Sequence, residues 1–124
     1  MITYLAHPVG QGEDRAKNLI NTQKWFLWLF KHKPEWSINV PWFIYVCNLD
    51  ETHRVRAMRD DLRILGTCDA IVLTGGKISE GMCVELLQAQ LNLQKVYDLT
   101  KCGVEPPEPG RPEYLEACSI LEIL

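Results

Sequence analysis

Asp69-Ala70-Ile71-Val72-Leu73-Thr74-Gly75-Gly76-Lys77-Ile78-Ser79 is the stretch that decides the fold. Its centre is a continuous apolar run, the pattern of a strand with helices on both faces and no side turned to water. Gly75-Gly76 then turns the chain, and helical spacing runs from about Glu80 to Leu93. A buried strand that passes through a glycine turn into a helix is one half of a parallel crossover unit.

The same alternation extends in both directions. Ile2-Thr3-Tyr4-Leu5-Ala6 reads as a strand that stops at His7-Pro8-Val9-Gly10-Gln11-Gly12. From Glu13 to Lys33 the spacing predicts a helix whose inner face is Ala16, Leu19, Ile20, Gln23, Leu27 and Phe30, ended by Pro34. Trp25, Phe26, Trp28 and Leu29 widen its apolar surface, which predicts burial on two sides or contact with a second copy, a homodimer. Ser37 to Cys47 reads as extended, with a strand ending at Pro41. Thr52 is a plausible cap for a helix from His53 to Leu65, which Gly66 stops. Lys95 to Leu99 is a last strand, followed by a proline-rich loop from Cys102 to Arg111 and a short helix or tail from Glu113 to Leu124. Together these predict one α/β domain over residues 1–124, a three-layer Rossmann or flavodoxin-like sandwich with a parallel sheet of about five strands.

Composition narrows the function. A chain of 124 residues that is 47% apolar can bury a self-sufficient core without disulfides or metal. No apolar run approaches the roughly 20 residues that span a bilayer, and Met1-Ile2-Thr3-Tyr4 lacks the start of a signal peptide, so a cytoplasmic protein is expected. A net charge of -3 gives no basic footprint for long nucleic acid. The five cysteines form no C-x-x-C pair and read as free thiols; neither a metal nor a cofactor is expected.

In open α/β sheets ligands bind beyond the carboxyl ends of the strands, so the chemistry is sought there. Gly75 to Gly81 opens a helix whose free N–H groups suit an anion; Ser79 offers a hydroxyl and Gly81 allows close backbone approach. On that helix Met82, Leu86, Ala89 and Leu93 form the expected core stripe, and Glu85 lies roughly 70° from its centre, a carboxylate at the border of the buried face. The helix from His53 to Leu65 repeats the pattern with Val55, Met58, Leu62 and Leu65 inward and Asp61 flanking them. Two acids on adjacent helices can flank a sugar, as paired carboxylates do in glycoside hydrolysis. His7 and Gly10 follow the first strand and are candidates for ligand contact. Arg54, Arg56, Arg59 and Arg63 read as a solvated face.

These pieces resemble the nucleoside 2-deoxyribosyltransferase-like superfamily over about Ile2 to Leu99. The resemblance rests on the first strand with Tyr4, the strand-end proline near Pro41, the Asp61-Leu62 step before Asp69, and Ser79-x-Gly81-x-x-x-Glu85-x-x-x-Ala89. It implies that Glu85 is a nucleophile at the anomeric carbon of a nucleoside or nucleoside 5'-monophosphate. Asp61 would position the sugar hydroxyl or assist proton transfer, and Tyr4 would lie close to the sugar and Glu85. Ser79 and Gly81 would hold a 5'-phosphate, and His7 and Gly10 would face the base or phosphate. The loop from Pro8 to Gly12 and the proline-rich tail depart from the family's well-studied hydrolases. The expected activity is nucleotide N-hydrolysis; a deoxyribosyltransferase and a non-catalytic nucleotide-binding or sensing module are the alternatives.

Overall fold

A computed structural model describes residues 1–123. In chain order the elements are β1 (Ile2–Ala6), α1 (Gly12–His32), β2 (Ser37–Asn39), α2 (Pro41–Asn48), α3 (Arg54–Leu65), β3 (Ala70–Leu73), α4 (Glu80–Leu91), β4 (Lys95–Asp98) and α5 (Pro112–Ile120), with single 3-10 turns at Glu51–His53 and Thr100–Cys102. Leu124, assigned to the tail in the sequence, lies outside the described residues.

The sheet has the order β2-β1-β3-β4 with every pair parallel. It has four strands, not about five. The difference lies at Pro41, where the expected extended region becomes a helix. Proline has no N–H to donate to a sheet ladder, but it fits the first position of a helix, where an N–H would have no intrahelical partner and where its fixed φ is already helical. The aromatic and β-branched residues that suggested a strand serve instead as helix packing: Trp42 is buried, its indole N–H donating 2.8 Å to Leu5 O, while Phe43 and Val46 pack on the core.

Alternate strand residues feed two cores. Tyr4, Ala6, Ile71 and Leu73 meet Trp42 of α2, Leu65 of α3, and Met82 and Ala89 of α4. Leu5 and Val72 point the other way, onto Trp25 and Leu29 of α1 and Ala117 and Leu121 around α5. This is the three-layer arrangement that an alternating parallel sheet requires.

The helix faces differ from those read in the sequence. On α1 the buried residues are Asn21, Thr22, Trp25 and Leu29, whereas Ile20, Leu27 and Phe30 are exposed. The inward stripe contains polar residues that bond locally, such as Thr22, whose hydroxyl donates 2.7 Å to Asn18 O, and this hides the period. The breadth of the apolar surface has a cause within the chain. Trp25 and Trp28 donate their indole N–H groups to Val104 O and Pro107 O, so the proline-rich segment covers them. On α3, Val55 is 84% exposed; on the α4 side, Leu93 is 93% exposed and lies past the helix end at a φ of 57°. The true inward sets are 58, 61, 62 and 65 on α3 and 82, 85, 86 and 89 on α4. Each places its acid inside the stripe.

Candidate active site

Beyond β1 the strand order reverses: β2 lies on one side of it and β3 on the other. The loops leaving β1 and β3 therefore part in opposite directions and open a crevice between them at their carboxyl ends. A pocket of about 350 Å³ occupies that position, walled by the β1–α1 loop, α2, the starts of α3 and α4, and the acids Asp61 and Glu85.

The start of α4 is built from Ser79. Its backbone is extended and its hydroxyl accepts from Met82 N at 3.3 Å, so the helix begins at Glu80 with one free N–H already satisfied. About a turn and a half into the helix, Glu85 projects into the core side and is only 6% exposed. Below it lies Tyr4 of β1, fully buried, whose phenol donates to Glu85 Oε2. Oε1 is left for the pocket. Burial pushes the Glu85 carboxyl up to about 7; the Tyr4 hydrogen bond opposes that rise and nearby Asp61 adds to it. Burial, and then the charge of Glu85, raises the Tyr4 phenol far above its ordinary range. It stays a proton donor at any pH the fold tolerates.

Asp61 faces the same space from α3. It is 5% exposed, and burial followed by the charge of Asp60 raises its carboxyl to about 7. Its Oδ1 is buried with no hydrogen-bond partner. Two carboxyl groups, both shifted toward neutral pH, thus converge on one cleft, a pattern enriched at functional sites.

Of the residues singled out in the sequence, Asp61, Glu85, His7, Gly10, Ser79 and Gly81 line the pocket, and Tyr4 stands beneath it. His7 has a second task. Its Nδ1 bonds to Pro8 O and its Nε2 to Asn21 Nδ2, each at 2.8 Å, and Asn21 Nδ2 also donates to Val104 O at 2.6 Å. Pro8 O requires a proton on Nδ1, and Nε2 then accepts, so the ring is neutral. Burial lowers its pKa accordingly. Both nitrogens are spent on bracing the loop after β1. A Cβ at Gly75, where φ is 95°, would lie 2.5 Å from Pro8 Cδ and 2.8 Å from His7 Nε2, so glycine there lets the two loops meet. Gly81 differs, since a Cβ on it would meet only Met58 Cε at 3.9 Å.

No family model and no curated protein sequence matches the chain.

Trp42, Tyr45, Val46 and Leu49 give the same pocket a largely apolar wall, and the more exposed Arg15 and Glu51 stand at its mouth. None was found in the sequence as a site residue. The wall was hidden by reading Phe43 to Cys47 as extended, and Pro41 at a helix start was the signal that exposes it. Among the described residues no helix is long and apolar enough to cross a membrane.

Proposed function

We propose that the protein cleaves the N-glycosidic bond of a nucleoside or nucleoside 5'-monophosphate, with Glu85 as nucleophile. One observation carries this reading: a buried glutamate, held at Oε2 by a phenol and faced by a second buried acid, lies in a cleft with an apolar aromatic wall. The wall suits a base, and the acids suit a sugar.

Glu85 Oε1 attacks the anomeric carbon from the face opposite the base. The C–N bond breaks, its electron pair goes to the base nitrogen, and protonated Asp61 supplies the proton. The negative carboxylate stabilises the oxocarbenium-like transition state and traps it as a glycosyl ester. Asp61, now ionised, takes a proton from water as that water attacks the same carbon; the bond from that carbon to Glu85 Oε1 breaks, its electron pair returns to the carboxylate, and the sugar leaves with net retention. A second base in place of water makes the same site a transferase. Tyr4 fixes which oxygen attacks, and Ser79 and Gly81 face the 5' end of the sugar. In the same proposal the protein is a homodimer joined through the uncovered Ile20, Leu27 and Phe30 face of α1, which analytical ultracentrifugation tests.

The reaction is tested by chromatographic detection of free base from a panel of nucleosides and 5'-monophosphates, with and without an acceptor base. Wild type should release or exchange base, and Glu85→Ala should lose at least about a hundredfold, on the scale of removed catalytic groups, while folding normally. A wild type that does neither across the panel defeats the proposal.

A further inference from the structure

The charges at the pocket mouth choose between the two substrates the N-glycosidase reading leaves open, and the inference rests on that reading. Two guanidiniums reach the mouth, Arg15 from α1 and Arg54 from the first turn of α3. Both turn to one carboxylate: Arg15 Nη2 lies 3.6 Å from Glu51 Oε1, and Arg54 Nη1 lies 3.7 Å from Glu51 Oε2. Arg15 also donates through Nε to Gly10 O at 3.4 Å. The imidazole of His53 faces Asp50 at 3.9 Å. Glu80, the first residue of α4, stands beside Ser79, so the positive end of the helix already has an acid in its first turn. Counting Asp61 and Glu85, the pocket presents five carboxyl groups to two guanidiniums, and among the described residues no lysine lines it.

A 5'-phosphate would bring a further charge of about −1.5 to −2 into this field. The helix N-terminus offers the equivalent of about half a positive charge, which Glu80 offsets. We infer that the pocket takes a nucleoside with an uncharged 5' end and discriminates against its 5'-monophosphate, with Glu51 setting the choice by occupying both arginines. The groups involved are partly solvated, so salt screens the effect and the discrimination is moderate.

The test compares one 2'-deoxynucleoside with its 5'-monophosphate, on wild type and Glu51→Gln, at low and high ionic strength. Wild type should favour the nucleoside by about tenfold in kcat/KM, the scale that one or two surface charge contacts supply. Raising the salt should narrow the gap. Glu51→Gln, at an exposed position outside the core, frees Arg15 and Arg54 and should narrow it as well. Preference of wild type for the monophosphate, or a ratio that Glu51→Gln leaves unmoved, overturns the inference while leaving the glycosidase reading intact. If no compound of the panel is cleaved, the glycosidase reading fails, and calorimetric binding of the same two compounds decides the inference. Tighter binding of the nucleoside supports it; tighter binding of the monophosphate, or binding of neither, overturns it.

Discussion

The phenol of Tyr4, on a central strand, donates a hydrogen bond to the carboxylate of Glu85, a helix residue 81 positions later. The contact joins β1 to α4 beneath the pocket and ties the proposed nucleophile to a fully buried residue of a central strand. It also lowers the pKa of a carboxyl group that burial raises to about 7.

Removing that donor moves the titration. In Tyr4→Phe the Glu85 carboxylate loses its stabilising hydrogen bond, so its pKa rises. The ascending limb of kcat/KM against pH should shift to higher pH, with activity near pH 6 falling more than activity near pH 8. The wild-type profile is expected to be bell-shaped with its maximum near 7, because Glu85 must be ionised and Asp61 protonated, both with values of about 7. A limb that does not move in Tyr4→Phe would show that Glu85 does not control the rate.

The same shift governs stability. Between its ordinary value of 4.5 and about 7, the folded protein keeps a proton on Glu85 that the unfolded chain has released. Stability contributed by this group is therefore complete below about pH 4.5 and is lost as the pH rises through 7. Glu85→Gln cannot ionise, so at pH 8 it should melt above wild type by roughly 5 °C, an advantage that shrinks toward pH 5. Calorimetric scans at the two pH values check this. Together with a loss of activity, the gain would mark a residue kept for chemistry at the expense of stability.

Gly81 separates the needs of the fold from those of a ligand. With 3.9 Å to the nearest atom, a methyl group fits, and alanine is the better helix former. Gly81→Ala should be at least as stable as wild type, by up to about 1 kcal/mol, yet weaken ligand binding at the pocket. Thermal denaturation and calorimetric titration measure the two effects separately, and unchanged binding would remove Gly81 from the site.

Gly75 makes the opposite case. Gly75→Ala would set a Cβ against Pro8 and the His7 ring in a left-handed backbone conformation. It should destabilise the protein by about 2 kcal/mol or more through strain and displacement of the loop after β1. Urea denaturation reads this, and full stability in the variant would show that the loops do not depend on this close approach.

How far the sequence carries the account depends on what each residue reveals about its surroundings. β1 and β3 were legible because their apolar runs admit few other readings, and the glycine turn before α4 followed from them. The helix faces were less so. Val55 and Leu93 look like core by spacing but lie at helix ends where nothing covers them, and anchoring the stripes on them moved Asp61 and Glu85 to the border. Their true place inside the stripes is a tertiary fact: a carboxyl group is buried only because a neighbouring element, here β1 with Tyr4, makes room and supplies a donor. The apolar wall on α2 was lost for a local reason, since Trp42 to Val46 has strand-like composition and only Pro41 argues for a helix. The indole hydrogen bonds to Val104 and Pro107 join positions about 80 residues apart and leave no local trace, so the width of the apolar face of α1 could not separate cover by its own chain from contact with a second copy.

The glycosidase reading requires the anomeric carbon of a nucleoside to come to rest against Glu85. A crystal structure of the slow variant Glu85→Gln, soaked with a 2'-deoxynucleoside, tests it most directly. The base is expected on the Trp42 and Tyr45 wall, the sugar over Asp61, and the anomeric carbon about 3–3.5 Å from the side-chain amide of residue 85 on the face opposite the base, the amide nitrogen standing where Oε1 stood while the oxygen keeps the Tyr4 hydrogen bond. A nucleoside bound outside the pocket, or inside it with its anomeric carbon turned away from residue 85, would contradict it.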